Sequence, residues 1–188
     1  GIALLTVVPE SAIPEPLRVH LPGIVARRPL ALLVAGCTLL LHLMGLIDDR
    51  RPLGPFLKLG IMALPALAVP LITTLFPALG ETRLLTFFDA SVGGPWLSIA
   101  LTAVWILLVT NAMNFMDNMD GLSAGTAAVA GGFFFCASLV SGQWFVAALL
   151  ALLVGACLGF LLFNAPRPSG ARIFMGDGGS LVLGFLLA

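Results

Sequence analysis

Five apolar runs, each close to the length of a membrane span, constrain this 188-residue chain more than any other feature in it. They lie at roughly 30–47, 57–76, 95–113, 122–141 and 143–163. A helix rises 1.5 Å per residue, so about 20 apolar residues cross the hydrocarbon layer while satisfying their own backbone hydrogen bonds. Shorter apolar stubs at 1–8 and 179–188 flank these runs. The expected fold is all-α: a polytopic transmembrane helical bundle with five complete spans plus two truncated terminal ones. The whole of 1–188 is expected to be a single integral-membrane domain, truncated at both ends. Pro65 and Pro70 fall inside the second run and predict a kink there. The Ser141-Gly142-Gln143 connection is tight enough to predict an antiparallel pair on either side of it.

Composition supports a lipid environment and excludes one class of partner. Charged residues make up 10% of the chain and hydrophobic residues 60%, against about 25% charged in a soluble domain. The formal net charge is zero, which gives no electrostatic footing for nucleic acid. Cys37, Cys136 and Cys157 sit in apolar runs without metal-ligand spacing and read as small core residues.

Counting crossings places the acids. Asp48 and Asp49 close the first full span, Asp117 and Asp120 follow two spans later, and Asp177 follows two more. An even number of crossings returns the chain to the same side, so all five carboxylates are expected on one face. Glu10, Glu15, Glu81 and Asp89 fall on the other. The aspartate face carries Arg50, Arg51, Lys58, Arg167 and Arg172; the opposite face carries Arg18, Arg27, Arg28 and Arg83. This small excess of positive charge assigns the aspartate face to the cytoplasm.

Three clusters carry chemistry. Asp48-Asp49-Arg50-Arg51 sets two adjacent carboxylates at a span end. Their repulsion is relieved either by a divalent cation or bridged phosphate, or by pairing with the arginines in a solvated loop. Lys58, one turn into the next span, is expected to extend its ammonium to the interface. The second cluster places Asn111, Asn114, Asp117 and Asp120 at three-residue intervals. On one helix they would form a slanting polar stripe suited to a ligand with many hydrogen-bonding groups, with Gly121 breaking the helix. The bland alternative is a helix-end cap and a turn. The third is Arg172-Ile173-Phe174-Met175-Gly176-Asp177-Gly178-Gly179-Ser180. Its glycines let backbone N–H groups approach an anion at the start of a helix, although a lone Gly-rich turn with an Asp cap reads the same way.

Together these motifs resemble the polyprenyl-phosphate N-acetylhexosamine-1-phosphate transferases. The resemblance is carried by Asp48-Asp49, by the Asn-x-x-Asn-x-x-Asp-x-x-Asp-Gly-Leu pattern from Asn111, and by GFLLFNAPRPSGARIFMGDGGSLVLG from Gly159 to Gly184. It implies transfer of N-acetylhexosamine-1-phosphate from a UDP-sugar to polyprenyl (undecaprenyl) phosphate, with release of UMP. Such an enzyme works at the cytoplasmic face of the inner (plasma) membrane in cell-envelope polysaccharide synthesis, whether peptidoglycan or lipopolysaccharide. By the same resemblance, Asp177 is the ligand for Mg²⁺ (Mn²⁺ being the alternative ion). Asp48, Asp49 and Asp117 are the catalytic carboxylates. Asn111, Asn114, Asp120, Asn164 and Phe174 are substrate contacts, with Phe174 stacking on uracil. One of the catalytic aspartates is expected either to assist deprotonation of the lipid phosphate or to form an aspartyl intermediate. Homodimerisation is expected from the family as well.

Asn118 stands where the family carries glycine, and Arg167 to Gly170 lengthen a usually shorter loop. The alternative class, an ion-coupled transporter using acids as ion ligands, predicts carboxylates at mid-membrane depth. A CDP-alcohol phosphotransferase would need further aspartates soon after Asp120-Gly121, and a prenyl synthase would need a third acid after Asp48-Asp49; neither is present.

Overall fold

The structure, a computed structural model, describes residues 21–166 and 170–188. A short helix α1 (Leu21–Ala26) leads into α2 (Arg28–Asp48), which is followed by α3 (Pro55–Leu75), α4 (Asp89–Val92), α5 (Trp96–Met116), α6 (Leu122–Val140), α7 (Trp144–Asn164) and α8 (Asp177–Leu187). Single-turn 3₁₀ segments at Pro77–Leu79 and Thr86–Phe88 fill the connection between α3 and α4. The described residues contain no strand. The five long helices match the five apolar runs and are long and apolar enough to cross a membrane. The chain is a multi-pass helical membrane protein. Glu10, Glu15, Arg18 and Arg167 lie outside the described residues.

The bundle forms around α8. This helix packs against α2 and α5, and α3 closes behind that pair. The α6–α7 hairpin turns at Ser141 and Gly142, is antiparallel as expected, and reaches α8 through α6. One apolar core joins Leu41, Met44, Met62, Ala66, Ile106, Leu181 and Phe185; a second joins Met113, Ala127, Leu153 and Cys157. The outer faces carry exposed Leu108, Phe133, Leu152 and Leu162, a distribution that fits lipid and not water. Helix α3 continues through Pro65 and Pro70, both of which are buried. Each proline removes an N–H from the helical ladder, and the Thr73 and Thr74 hydroxyls donate back to carbonyls one turn earlier, at Val69 and Pro70.

Two glycine contacts let α8 approach this closely. A Cβ on Gly45 of α2 would stand 2.5 Å from the Gly178 Cα, and one on Gly184 would stand 2.5 Å from the Thr110 Cα of α5. Real side-chain carbons do not come that near, so α8 is seated backbone to backbone on both neighbours.

The parity expectation holds for the described residues. Asp48, Asp49, Asp117, Asp120 and Asp177 all stand at helix ends on one side of the bundle. At the other end Arg83 donates to Glu81, Asp89 and Ser98 in a separate polar knot. That network holds the Glu81 carboxyl below its ordinary range, chiefly through the hydrogen bond from Arg83.

Candidate active site

The site is built where α2, α3, α5 and α8 end together, and Lys58 is at its centre. Its ammonium donates to Asp48 Oδ2 at 3.0 Å, to Asn114 Oδ1 at 3.0 Å, and to Asp177 Oδ2. Three donors meet three acceptors drawn from α2, α5 and α8. Their side chains are largely buried, at 18% exposure for Lys58, 14% for Asp48 and 24% for Asp177. The expectation that Lys58 simply reaches for the interface is therefore corrected. A cation in the first turn of a helix opposes the helix dipole, and here three acceptors offset that opposition.

Asn114 is bonded at both ends of its amide. Its Oδ1 accepts from Lys58, while Nδ2 donates to Asp177 Oδ1 at 2.7 Å and to Ser180 Oγ at 2.9 Å. The Ser180 hydroxyl, fully buried, donates in turn to the Gly176 carbonyl. Asp177 is thus held through both carboxylate oxygens.

The paired aspartates face different tasks. Asp48 accepts the Leu53 N–H at 2.7 Å, fixing the loop that turns α2 into α3, and pairs with Lys58. Asp49 accepts the backbone N–H of Asp177 at 2.8 Å and that of Gly178 at 3.3 Å. It caps the N-terminus of α8 from another helix. Neither is neutralised by Arg50 or Arg51 among the described ion pairs.

The polar stripe expected over 111–120 is only half realised. Helix α5 ends at Met116, so Asn111 and Asn114 are helical while Asp117 and Asp120 lie in the turn beyond. The break comes before Gly121 because α5 is closed by its neighbours. Asn114 is anchored to α8, and the Ser123 hydroxyl of α6 bonds the Met113 carbonyl. Asp117 is pushed up to about 6, mainly by burial and further by the charges of Asp177 and Asp49, with the Gly176 N–H acting in the opposite sense. Asp120 is exposed and accepts the Ala171 N–H at 2.9 Å, tying this turn to the strap before α8. Asn111 stands one turn back and is not drawn into the network. Asn118 does not adopt a left-handed backbone; Gly121, at φ +75°, does. The turn therefore forms without glycine at 118.

Asn164, expected among the substrate contacts, ties two loops together in this structure. It is buried to 5% exposure; its Oδ1 accepts the Gly121 N–H and its Nδ2 donates to the Ile173 carbonyl, both at 2.9 Å. Both polar ends are used in holding two loops together. Phe174 is exposed at 73%, and Phe115 and Met119, at the end of α5 and in the turn beyond it, are exposed at 71% and 64%. The signal for Lys58 was available: parity puts it on the aspartate face, and a lysine in a first helical turn calls for an acid.

Among the described residues no three His, Cys, Asp or Glu side chains converge as a ready-made metal cage. The five carboxylates stand at helix ends and not at mid-depth, which disfavours the transporter alternative.

Fold and site define a multi-pass membrane protein with an acidic, lysine-centred cluster at one membrane surface. The sequence matches the model of glycosyl transferase family 4 over residues 31–188, and the chain belongs to that family. It is 36% identical to the phospho-N-acetylmuramoyl-pentapeptide-transferase of Desulforudis audaxviator over 168 residues, covering 81% of this chain and 49% of that protein. With the same-named protein of Anoxybacillus flavithermus it shares 38% identity over 149 residues, 76% of this chain and 45% of the relative. With that of Geobacillus kaustophilus the figure is 45% over 100 residues, 53% and 30%. The chain spans at most about half the length of these relatives.

Proposed function

We propose that this chain carries the phosphate-handling centre of an enzyme that transfers an N-acetylhexosamine-1-phosphate from a UDP-sugar to a polyprenyl phosphate. The observation that carries this reading is the Lys58 ammonium held among Asp48, Asn114 and Asp177 at a membrane surface. A lipid phosphate presented from the bilayer and a water-soluble nucleotide can meet only at such a surface. In the transfer, an oxygen of the lipid phosphate attacks the β-phosphorus, the bond to the bridging oxygen of the α-phosphate breaks, and UMP leaves with that electron pair. A phosphate monoester has a second pKa near 6, so the nucleophile is already largely ionised at neutral pH. The protein's task is then to position the reactants and to balance charge. Lys58 balances the charge of Asp48 and Asp177 beside the reactants, and Asn114 holds both Lys58 and Asp177 in register. Exposed Phe174 offers apolar surface to the uracil.

The donor set fits Mg²⁺. Magnesium is commonly held by one or two carboxylates plus substrate phosphate oxygens, and Asp177, whose charge is felt at Asp117, would supply hard oxygens of that kind. Bound there, the ion would polarise the diphosphate and offset charge on the departing UMP. Asp49 is spent on the α8 backbone and Asp48 on Lys58, which leaves Asp117 as the carboxylate best placed to take a proton. We assign the site to the cytoplasmic face of the plasma membrane, where the nucleotide donor is found. The name carried by the relatives puts UDP-N-acetylmuramoyl-pentapeptide first among donors, with UDP-N-acetylglucosamine second.

The test is UMP release by the full-length protein in membranes supplied with undecaprenyl phosphate and each donor. Asp177→Asn and an EDTA-treated sample run in parallel. Turnover with either donor that requires both the metal and Asp177 supports the assignment; no turnover from folded protein with either donor overturns it.

A further inference from the structure

The mechanism leaves His42 unused, yet it is one of two histidines in the whole chain and lies well inside an apolar span. A polar ring at such a depth is costly to keep. Its Nδ1 is 2.9 Å from the carbonyl oxygen of Gly178, the residue after Asp177. A carbonyl can only accept, so Nδ1 carries the proton and donates. The rest of the ring lines an apolar groove of about 730 Å³ between α2, α7 and α8, together with Thr38, Leu39, Leu46 and Met175. The ring is exposed and fills no core. The hydrogen bond is what remains to explain its presence.

That bond reaches the weakest turn of α8. Gly178 and Gly179 sit side by side there, and glycine is among the poorest helix formers because it leaves the backbone most of its freedom. The turn that aims Asp177 at Lys58 and Asn114 is therefore poor at holding itself. Helix α2 grips it at both poles: Asp49 accepts the N–H groups of 177 and 178, and about two turns earlier on α2 His42 donates to the carbonyl of 178. Gly45 lies between these two grips, its Cα against the 177–178 backbone.

We propose that His42 is a positioning residue for Asp177, acting through an Nδ1–H bond to Gly178 that clamps the first turn of α8. This rests on the transferase reading for its kinetic consequence, but not for its structural one. Asparagine carries an N–H at the same distance from the backbone as Nδ1; glutamine places it one bond further out, and leucine has none. A role in packing would rank glutamine and leucine with or above asparagine, whereas the clamp ranks asparagine alone near histidine.

The experiment compares His42→Asn, His42→Gln and His42→Leu in the full-length protein in nanodiscs. It reads hydrogen exchange of the peptide spanning 176–182 without substrate, and UMP release with donor and undecaprenyl phosphate. Expected for Gln and Leu is exchange in the first turn of α8 about tenfold faster, with α6 and α7 unchanged. Their kcat should fall about tenfold with KM for the UDP-sugar held to roughly twofold, as when the support of a metal-site residue is lost. Asn should stay within roughly twofold of wild type on both readouts. Leu exchanging like wild type, or Asn as impaired as Leu, would overturn the clamp. If no donor gives UMP even with wild type while the exchange ranking holds, the transferase reading fails and the clamp stands.

Discussion

Asp49 accepts the backbone N–H of Asp177 at 2.8 Å across 128 residues of sequence. The second member of the acidic pair thus acts first as an N-terminal cap for the helix that bears Asp177. Removing a cap costs about 0.5–2 kcal/mol, so Asp49→Ala should lower the thermal midpoint in detergent by a few degrees, roughly 1–8 °C. Asp49→Asn, which keeps an acceptor oxygen, should recover most of the loss. Equal midpoints for wild type and Asp49→Ala would refute the capping role.

Lys58 separates two carboxylates that would otherwise face each other across the site. Lys58→Met leaves Asp48 and Asp177 repelling without compensation and removes a positive charge from the reaction centre. UMP release should fall on the order of 10²-fold or more, the scale for losing one preorganised electrostatic contact. Steady-state kinetics with folded variant would show it, and a loss of less than threefold would argue against a central role for this lysine.

Asp117 has its pKa raised to about 6 from an ordinary 3.8, so the folded chain holds its proton where the unfolded chain has released it. Stability contributed by this group therefore falls as pH rises from about 4 to about 6 and stays reduced above that. Asp117→Asn removes the penalty. Its thermal midpoint should exceed wild type at pH 7.5, and the difference should shrink to nothing near pH 4. A difference that is constant over this range would contradict the raised pKa. Added Mg²⁺ should favour the ionised form in wild type and narrow the gap at neutral pH.

Gly45 and Gly36 lie on the same helix and should respond in opposite ways to alanine. At Gly45 the new methyl meets the Asp177–Gly178 backbone, whereas at Gly36 nothing lies within 4 Å. Overpacking of this kind costs about 1–3 kcal/mol, and Gly45→Ala should also uncouple Asp177 from Lys58 and abolish most UMP release. Gly36→Ala should be neutral or slightly stabilising. Midpoints and turnover measured on the pair decide it.

What could be read from the sequence was what run length and parity control. Five spans and one shared aspartate face follow from counting apolar residues, because lipid leaves the backbone no alternative to helix. The end of α5 was misplaced because Asn114 and Met113 are held by α8 and α6, and no local propensity reports that. Lys58 read as an interfacial lysine although parity put it on the aspartate face; its link to Asp177, 119 positions away, is visible only in the folded bundle. Asn164 read as a ligand contact for the same reason: its two partners, Gly121 and Ile173, come from separate loops that only the folded bundle brings together. The sequence clusters named Asp48, Asn114 and Asp177 separately; the folded bundle is what joins them through Lys58.

The pairing of Lys58 with Asp48, only ten residues apart, and with Asp177, 119 residues apart, has a consequence for how the protein is made. The hairpin of α2 and α3 emerges from the ribosome with Asp48 and Lys58 already able to cancel each other's charge. It can enter the bilayer as an electrically balanced unit, long before α8 is synthesised. Asp177 then arrives last at a lysine already held in place, so assembly of the site awaits insertion of α8.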